Sequence, residues 1–515
     1  MSRFFGKLPL CVSLCALTVS ARAQSLDGVV RDSLTRTPLA KASVVLTAVP
    51  GHGEYAERTD GSGKFHFEAI DAGSYDLEVE RRGYADAPKI RLQIHAGETV
   101  RNFAVEVAPL GIIAGKVVDP DGEPVPGARV SLLAPQWRYG QSAMDEVTDD
   151  DADERGEFRF VTPRPGRYSV AASPGWQPGF WQTGVRDGPG KPEWRWGRAA
   201  SGEMEVRAGQ EISGLELKLP KTPCFRLRGT ADLSLRGRWP PLSVQAVRVD
   251  GGGAAGSMVE ADGRFEIHGV TPGEYLLSLR EAEPLTAGVR VAVTSHDVEG
   301  IALHAAKASL AVHVRVDGET AIPMRSLRLH LEWLEPNVMQ NRDTSPDGGG
   351  SAVFADLAPG RYALELRPRA DAYVESLSRA GQPVASGEFE LTAGSSEMEL
   401  VVTKGTDTVA GVADKPTPGL TAVLMPLERK AGHPPVFSAA ADQNGAFSLE
   451  FVPPGQYRAF LVAQFDEGLW WNGEFRKQVE ALGTAVEVPR KGGAPVQVVV
   501  IDENAMQQAI ARVGQ

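Results

Sequence analysis

Apolar and polar residues alternate over short runs along most of the chain, the period-two pattern of half-buried strands. The clearest run is Arg264-Phe265-Glu266-Ile267-His268, and the alternation resumes in Tyr275, Leu277 and Leu279. Asp262-Gly263 precedes the first run and Pro272-Gly273 separates the two. Both pairs read as tight turns, glycine adopting a backbone conformation that a side chain resists and proline presetting the turn's first central position. Two strands with two specified turns predict a hairpin-like core unit.

That unit recurs five times. Tyr75, Tyr168, Tyr275, Tyr362 and Tyr457 each follow a glycine by two residues (Gly73, Gly166, Gly273, Gly360, Gly455). Each also follows a turn glycine by twelve (Gly63, Gly156, Gly263, Gly350, Gly445). Ten residues before each tyrosine stands Phe65, Phe158, Phe265, Ala352 or Phe447, so the fourth copy alone lacks the aromatic. The tyrosines are expected to bury their rings and send their hydroxyls to backbone groups. A fixed period marks an array of one repeated structural unit. Upstream lies a second recurring element, Asp27-Gly28-Val29-Val30-Arg31-Asp32 followed by Pro38 to Leu46 in copy one, with counterparts at Ala114–Asp119 and Val409–Asp414. It is fainter at Leu227–Ala231 and faintest at Leu310–Val314. Alternating stretches such as Leu215–Leu219 and Val496–Val500 close the units. Many short strands with regular turns indicate β-sandwiches.

The order G-x-V-x-D, P-x-x-x-A-x-V-x-L, D-x-x-G-x-F, P-G-x-Y resembles the carboxypeptidase regulatory-like domain, a transthyretin-like (prealbumin-like), starch-binding-like sandwich of bacterial envelope and secreted proteins. The resemblance is strongest in copies one, two and five. It implies an all-β tandem array of about five Ig-like sandwiches, a non-catalytic role, and company with peptidases or outer-membrane barrels. The expected division is a leader at 1–23, sandwiches at 24–108, 109–221, 222–307, 308–405 and 406–502, and a tail at 503–515. Asp502 is placed to cap a helix in that tail, with Ala505, Met506, Ile510 and Val513 on one face.

Composition narrows the function. Gly and Pro are abundant, 56 and 36 residues, as a turn-rich all-β chain requires. The net charge of −12, without a Lys/Arg stripe, argues against nucleic acid as a partner. Arg3 and Lys7, an apolar run from Leu8 to Val19, and Ala21-Arg22-Ala23 read as a secretory leader cleaved before Gln24, which places the protein outside the cell or in the periplasm. No later segment is long and apolar enough to span a membrane. Cys11 and Cys15 fall inside the leader, leaving Cys224 and no disulfide framework.

Chemistry is sparse. His95–Glu98 and His296–Glu299 have an H-x-x-E spacing but lie in equivalent turns without a third zinc ligand. No nucleophile elbow, phosphate loop or dinucleotide fingerprint occurs, so no enzyme activity, catalytic residue, metal or cofactor is expected. The acidic run from Asp149 to Glu154 lacks the bidentate glutamate of a calcium loop and reads as a solvated hairpin tip. Copies two and three, Leu110 to Lys307, contain no asparagine, which excludes a Lys–Asn cross-link there.

The uneven feature is aromatic. Five of the nine tryptophans (Trp137, Trp176, Trp181, Trp194 and Trp196) lie in copy two, four of them in a Gly/Pro-rich insertion from Pro174 to Arg198 with little strand pattern. Indole faces stack on sugar rings, and they also hold long loops together. Trp470-Trp471 occupies the corresponding place in copy five, which favours packing. The sequence therefore carries two functional readings. One is polysaccharide binding through the copy-two tryptophans. The other is a structural or protein-interaction scaffold, with an envelope protein as partner or a role accessory to a peptidase or transporter. Neither reading sets the oligomeric state.

Overall fold

The computed structural model describes residues 24–513 except 52, 88, 139, 175–184, 187–192, 234–241, 250–253, 281–287, 305–306, 318–321, 335–340, 368–371, 385–386, 406, 430 and 490–492. The expected leader, 1–23, lies outside these residues. The chain divides into two compact units: Met1–Arg82 with Leu92–Val107, and Gly83–Arg91 with Ala108–Gln515. The fold is all-β, a tandem series of sandwiches.

The first sandwich comprises β1 (Gln24–Asp32), β2 (Ser43–Ala48), β3 (Glu54–Arg58), β4 (Lys64–Ile70), β5 (Gly73–Glu80), β6 (Ile90–Ile94) and β7 (Thr99–Val107). One sheet has the order β4-β1-β7 and the other β3-β2-β5-β6. β1 is antiparallel to β4 and parallel to β7. The expected hairpin-like pairing of the phenylalanine and tyrosine strands does not form. β4 and β5 belong to opposite sheets, so the chain between them crosses the sandwich. Each strand is apolar on one face only, and burial of Phe65 and Phe67 against Tyr75, Leu77 and Val79 requires the two faces to oppose each other. In the third copy likewise the chain bends at Pro272, and Gly273 is already the first residue of the next strand.

The second unit repeats this plan four times. A central strand pairs antiparallel with the phenylalanine strand (alanine in copy four) and parallel with the closing strand of its sandwich. The central strands are Ile112–Val118, Phe225–Ala231, Ala308–Asp317 and Asp407–Ala413. The fourth sandwich widens one sheet to five strands by adding Ala372–Arg379 and Gln382–Pro383.

Two local interactions explain the repeated phrase. The turn glycines Gly63, Gly156, Gly263, Gly350 and Gly445 have φ between +73° and +89°, a region costly for other residues. The aspartate three residues before most of them (Asp60, Asp153, Asp347, Asp442) accepts two backbone N–H bonds per turn at 2.8–2.9 Å. All five tyrosine hydroxyls then donate to the carbonyl four residues back, at 2.7–3.0 Å. Burial pushes the Tyr75 phenol up to about 12 and those of Tyr362 and Tyr457 further. The tyrosines are corner posts.

The aromatic of the phrase has a fixed cross-strand partner. Phe65 lies opposite Gly28, Phe158 opposite Gly115, Phe265 opposite Gly229 and Phe447 opposite Gly411. Each ring occupies the space a Cβ on that glycine would need; at Gly115 and Gly229 the ring tip is 2.7 Å from such a Cβ. In the fourth copy the pair is Val312 opposite Ala352, so the missing ring is matched by an added side chain on the central strand.

Three helices distinguish the fifth sandwich: α1 (Glu467–Trp470), α2 (Gly473–Glu480) and α3 (Glu503–Val513). Asp502 Oδ1 accepts from the Asn504 and Ala505 N–H groups, the expected cap, and Met506 and Ala509 are buried. Thr421–Pro426 and Gly455–Val462 are buried on both faces: Leu424 and Leu461 face the sandwich core, whereas Val423, Met425, Phe460 and Val462 join the helices in a second apolar layer. That accounts for their near-continuous apolar sequence.

The cross-strand exchange gives a direct expectation. Phe447→Ala should destabilise the protein by about 3–5 kcal/mol in denaturant unfolding, as large-to-small core changes do. The double variant Gly411→Val/Phe447→Ala, which copies the fourth sandwich, should recover part of that loss. Additive losses would refute the pairing.

Candidate functional site

The five copies agree in plan and differ in the segment after the tyrosine strand. Copy two carries the insertion there, and copy five carries α1 and α2. The second sandwich also has a long hairpin, Arg129–Arg138 with Gln141–Asp151, whose tip reaches α1. The Gly140 N–H donates to the Gly468 carbonyl at 2.8 Å, and Asn472 Nδ2 donates to the Gly140 carbonyl at 2.7 Å. Glycine is required on both sides: a Cβ on Gly468 would collide with the Trp137 carbonyl, and one on Gly140 (φ +76°) would lie 2.7 Å from the Asn472 nitrogen.

The predicted tryptophans fall in different surroundings. Trp137 is half-buried against the apolar layer of the fifth sandwich, where Trp470 packs at 5.2 Å from both Phe460 and Phe475. Trp196 packs on the core of its own sandwich. Trp194 sits on the strand Glu193–Trp196, opposite Pro223 of Lys221–Pro223, so part of the insertion expected to lack strand structure is a strand. Trp176 and Trp181 lie outside the described residues, as do Tyr139 and Phe180.

Ionisable groups gather between the fourth and fifth sandwiches, where the sequence points to nothing. Arg328–Trp333 alternates Arg328, His330 and Glu332 with leucines, a pattern that reads as one solvated face. Yet His330 is 3% exposed and Glu332 6%, because residues of the fifth sandwich pack beside this strand pair. The Leu366 N–H donates to the Gly432 carbonyl at 3.1 Å, and the His433 ring is 2.8 Å from the Val374 carbonyl. His330 bridges Asp343 at 2.9 Å and Glu332 at 2.5 Å, and Asn341 Nδ2 donates to the other Glu332 oxygen at 2.6 Å. Burial lowers the His330 pKa and raises that of Glu332. Burial also pushes Glu365, on the neighbouring strand, up to about 7; Glu332 and Glu467 add repulsion while Arg367 and Arg429 oppose it. Arg429 bonds Glu388 at 3.1 Å and lies 4.1 Å over the Trp471 ring. A histidine and two glutamates among the leucines of paired strands were the available signal.

The remaining candidates have structural partners. Glu98 accepts from the His95 N–H at 2.7 Å, closing its own turn, and Glu299 pairs with Arg228 at 2.7 Å. In the acidic run, Asp149 and Asp151 pair with Arg129 and Asp153 caps the turn. An open groove of about 580 Å³ lies alongside, lined by Lys116, Asp151, Phe158, Arg159, Leu215 and Glu216 among others. Among the described residues no three His, Cys, Asp or Glu side chains are grouped to hold a metal ion, and no helix is long and apolar enough to cross a membrane. Cys224 is buried and forms no disulfide among the described residues.

Residues 25–107 and 112–193 match the carboxypeptidase regulatory-like domain. No curated protein matches the chain by sequence. Solved structures similar to it include the Bacillus anthracis TIE protein, at 15% identity and TM-score 0.18 over 54% of this chain and 50% of that one. The chain thus spans about half the length of that relative. Another is the minor pilin GBS52 of Streptococcus agalactiae, at 12% identity and TM-score 0.24 over 39% and 97% of the two chains. A third is BcpA, the major pilin subunit of Bacillus cereus, at 13% identity and TM-score 0.17 over 55% and 98%.

The contact at α1 predicts that Gly468→Ala detaches the hairpin tip. Limited proteolysis should then cut near Gly140 faster than in the parent protein, with the sandwich cores intact. An unchanged cleavage rate would count against the contact.

Proposed function

We propose that this chain, whose first two sandwiches are carboxypeptidase regulatory-like domains, is a non-catalytic envelope scaffold that holds several sandwiches in fixed register. The observation carrying this reading is α1. Within one short segment Gly468 bonds the second sandwich and Trp470 anchors the second apolar layer of the fifth, while Arg429 of the fifth bonds Glu388 of the fourth. Beads joined by free linkers need no such convergence. Export through a leader ending at Ala23 completes the reading, with an envelope protein as partner and a peptidase or outer-membrane transporter as the kind of machine it serves. Calorimetry should give one transition shared by sandwiches two, four and five, split by Gly468→Ala. Independent transitions in the parent protein would remove the scaffold reading.

Polysaccharide binding is the second reading. It is favoured by the open groove beside the acidic run and by the insertion whose sequence holds Trp176 and Trp181. A glycan array with the mature protein is its test: binding lost in Trp176→Ala and Trp181→Ala at unchanged melting temperature supports it, and an empty array ends it.

A further inference from the structure

We propose that Asn472-Gly473 is a self-modification site, whose conversion from amide to acid releases the hairpin of the second sandwich from the fifth. Asparagine is a chemically labile residue, and two of the six in this chain, Asn444 and Asn472, precede a glycine. They stand in opposite circumstances. Asn444 is exposed on the turn closed by Asp442, and its side chain has no bonding partner among the described residues. Asn472 is half-buried, and its amide is used at both ends. Its Oδ1 accepts the Phe475 N–H at 2.9 Å and so caps α2, while its Nδ2 donates to the Gly140 carbonyl at 2.7 Å. The first bond belongs to the fifth sandwich alone, and the second crosses to the hairpin.

The reaction needs only water. The Gly473 backbone nitrogen gives up its proton and attacks Cγ of Asn472; the N–Cγ bond forms, the Cγ–Nδ2 bond breaks, and the amide nitrogen leaves as ammonia. Water then opens the resulting cyclic imide at either carbonyl, giving aspartate or its β-linked isomer. The sum is amide plus water to acid plus ammonia, with no change of oxidation state. A side chain on the attacking residue obstructs the approach. Here that residue is an exposed glycine, with no atom within 4 Å of where a Cβ would stand. The docked geometry nonetheless holds the reaction off. With ψ of Asn472 at 119°, the Gly473 nitrogen is turned away from the side chain instead of eclipsing Cβ, and the bond cannot rotate while the cap and the Gly140 bond both hold.

Conversion to aspartate acts on one bond of the two. Aspartate caps a helix as well as asparagine does, so α2 keeps its cap. The Gly140 carbonyl, by contrast, then meets a carboxylate oxygen where it had a donor, and two acceptors at that distance repel. The β-linked isomer lengthens the backbone ahead of α2 and moves the side chain off the hairpin tip as well. Either product undocks the tip, and neither reverts. The site is therefore slow while the tip is docked and faster once it has opened, a one-way release. The proposal rests on the tie that the scaffold reading uses; an Asn472 that never converts would sink the proposal and leave that reading in place.

Peptide mass spectrometry on the full mature chain, aged at neutral pH, reads conversion at both asparagines. Asn444 should convert first and Asn472 more slowly. Gly468→Ala, which detaches the tip, should raise the Asn472 rate severalfold toward that of Asn444. Gly473→Ala should suppress conversion at Asn472 and leave Asn444 unchanged. Hydrogen exchange reads the consequence: in Asn472→Asp the Gly140 amide should lose protection by about tenfold or more, while the Phe475 amide, still capped, keeps it. Should Gly468→Ala fold poorly, aged parent protein separated by charge supplies a second comparison, in which molecules converted at Asn472 should be cut near Gly140 faster than unconverted ones. The proposal is overturned if Asn472 converts no faster with the tip detached, if converted and unconverted molecules are cut alike, or if Asn472→Asp leaves the Gly140 amide as protected as in the parent.

Discussion

Each sandwich is organised around a phenylalanine ring lying on a glycine of the strand beside it. The central strand pairs on both edges, one neighbour antiparallel and one parallel, and at its midpoint a bare Cα leaves room for the ring. Glycine inside a strand loses packing and gains chain entropy on unfolding. The ring restores the packing, so two residues that would each be poor choices alone form one good one. The turn glycine with its aspartate and the tyrosine with its backbone carbonyl then fix where the chain enters and leaves the ring's strand. Val312 and Ala352 show that the constraint is on the pair's combined volume and not on aromaticity.

The fold was legible because it depends on such local rules. Alternation located the strands, and the spacing of Gly156 and Tyr168 within one copy matched that of Gly445 and Tyr457 in another. Strand partnership was less legible: Phe265 and Tyr275 are ten residues apart, and nothing between them reveals whether they share a sheet or face each other across a core. The contacts between sandwiches were hidden for a different reason. His330 and Glu332 look like a solvated face because alternation records only that one side is polar, not whether water covers it. The residues of the fifth sandwich beside this strand pair, such as Gly432 and His433, come from a distant stretch of the chain, beyond the reach of any periodicity. The tryptophans do mark a place where copies differ. Trp137, a candidate for sugar stacking in the sequence, packs instead toward a helix of the fifth sandwich that its own hairpin gives no sign of.

Recurrence and variation divide the labour. Residues that recur build five similar cores, and residues that vary (α1 with α2, the long hairpin of the second sandwich, the polar face of Arg328–Trp333) join those cores. A repeat sequence is thereby freed from being a set of equivalent beads: the elements least like the consensus determine which copies touch.

The parallel pairing of first and last strands has a consequence for synthesis. In the first sandwich β1 must wait for β7, and in every copy the central strand lacks one edge until the closing strand has been made. Each module is therefore a high-contact-order fold that stays incomplete until nearly its whole length is available, which slows folding and leaves open strand edges meanwhile. The bond between Asn472 and Gly140 extends the same delay to 332 residues of separation. Each sandwich can close as soon as its own last strand has emerged, whereas the contact between the second and fifth must wait until nearly the whole chain is made.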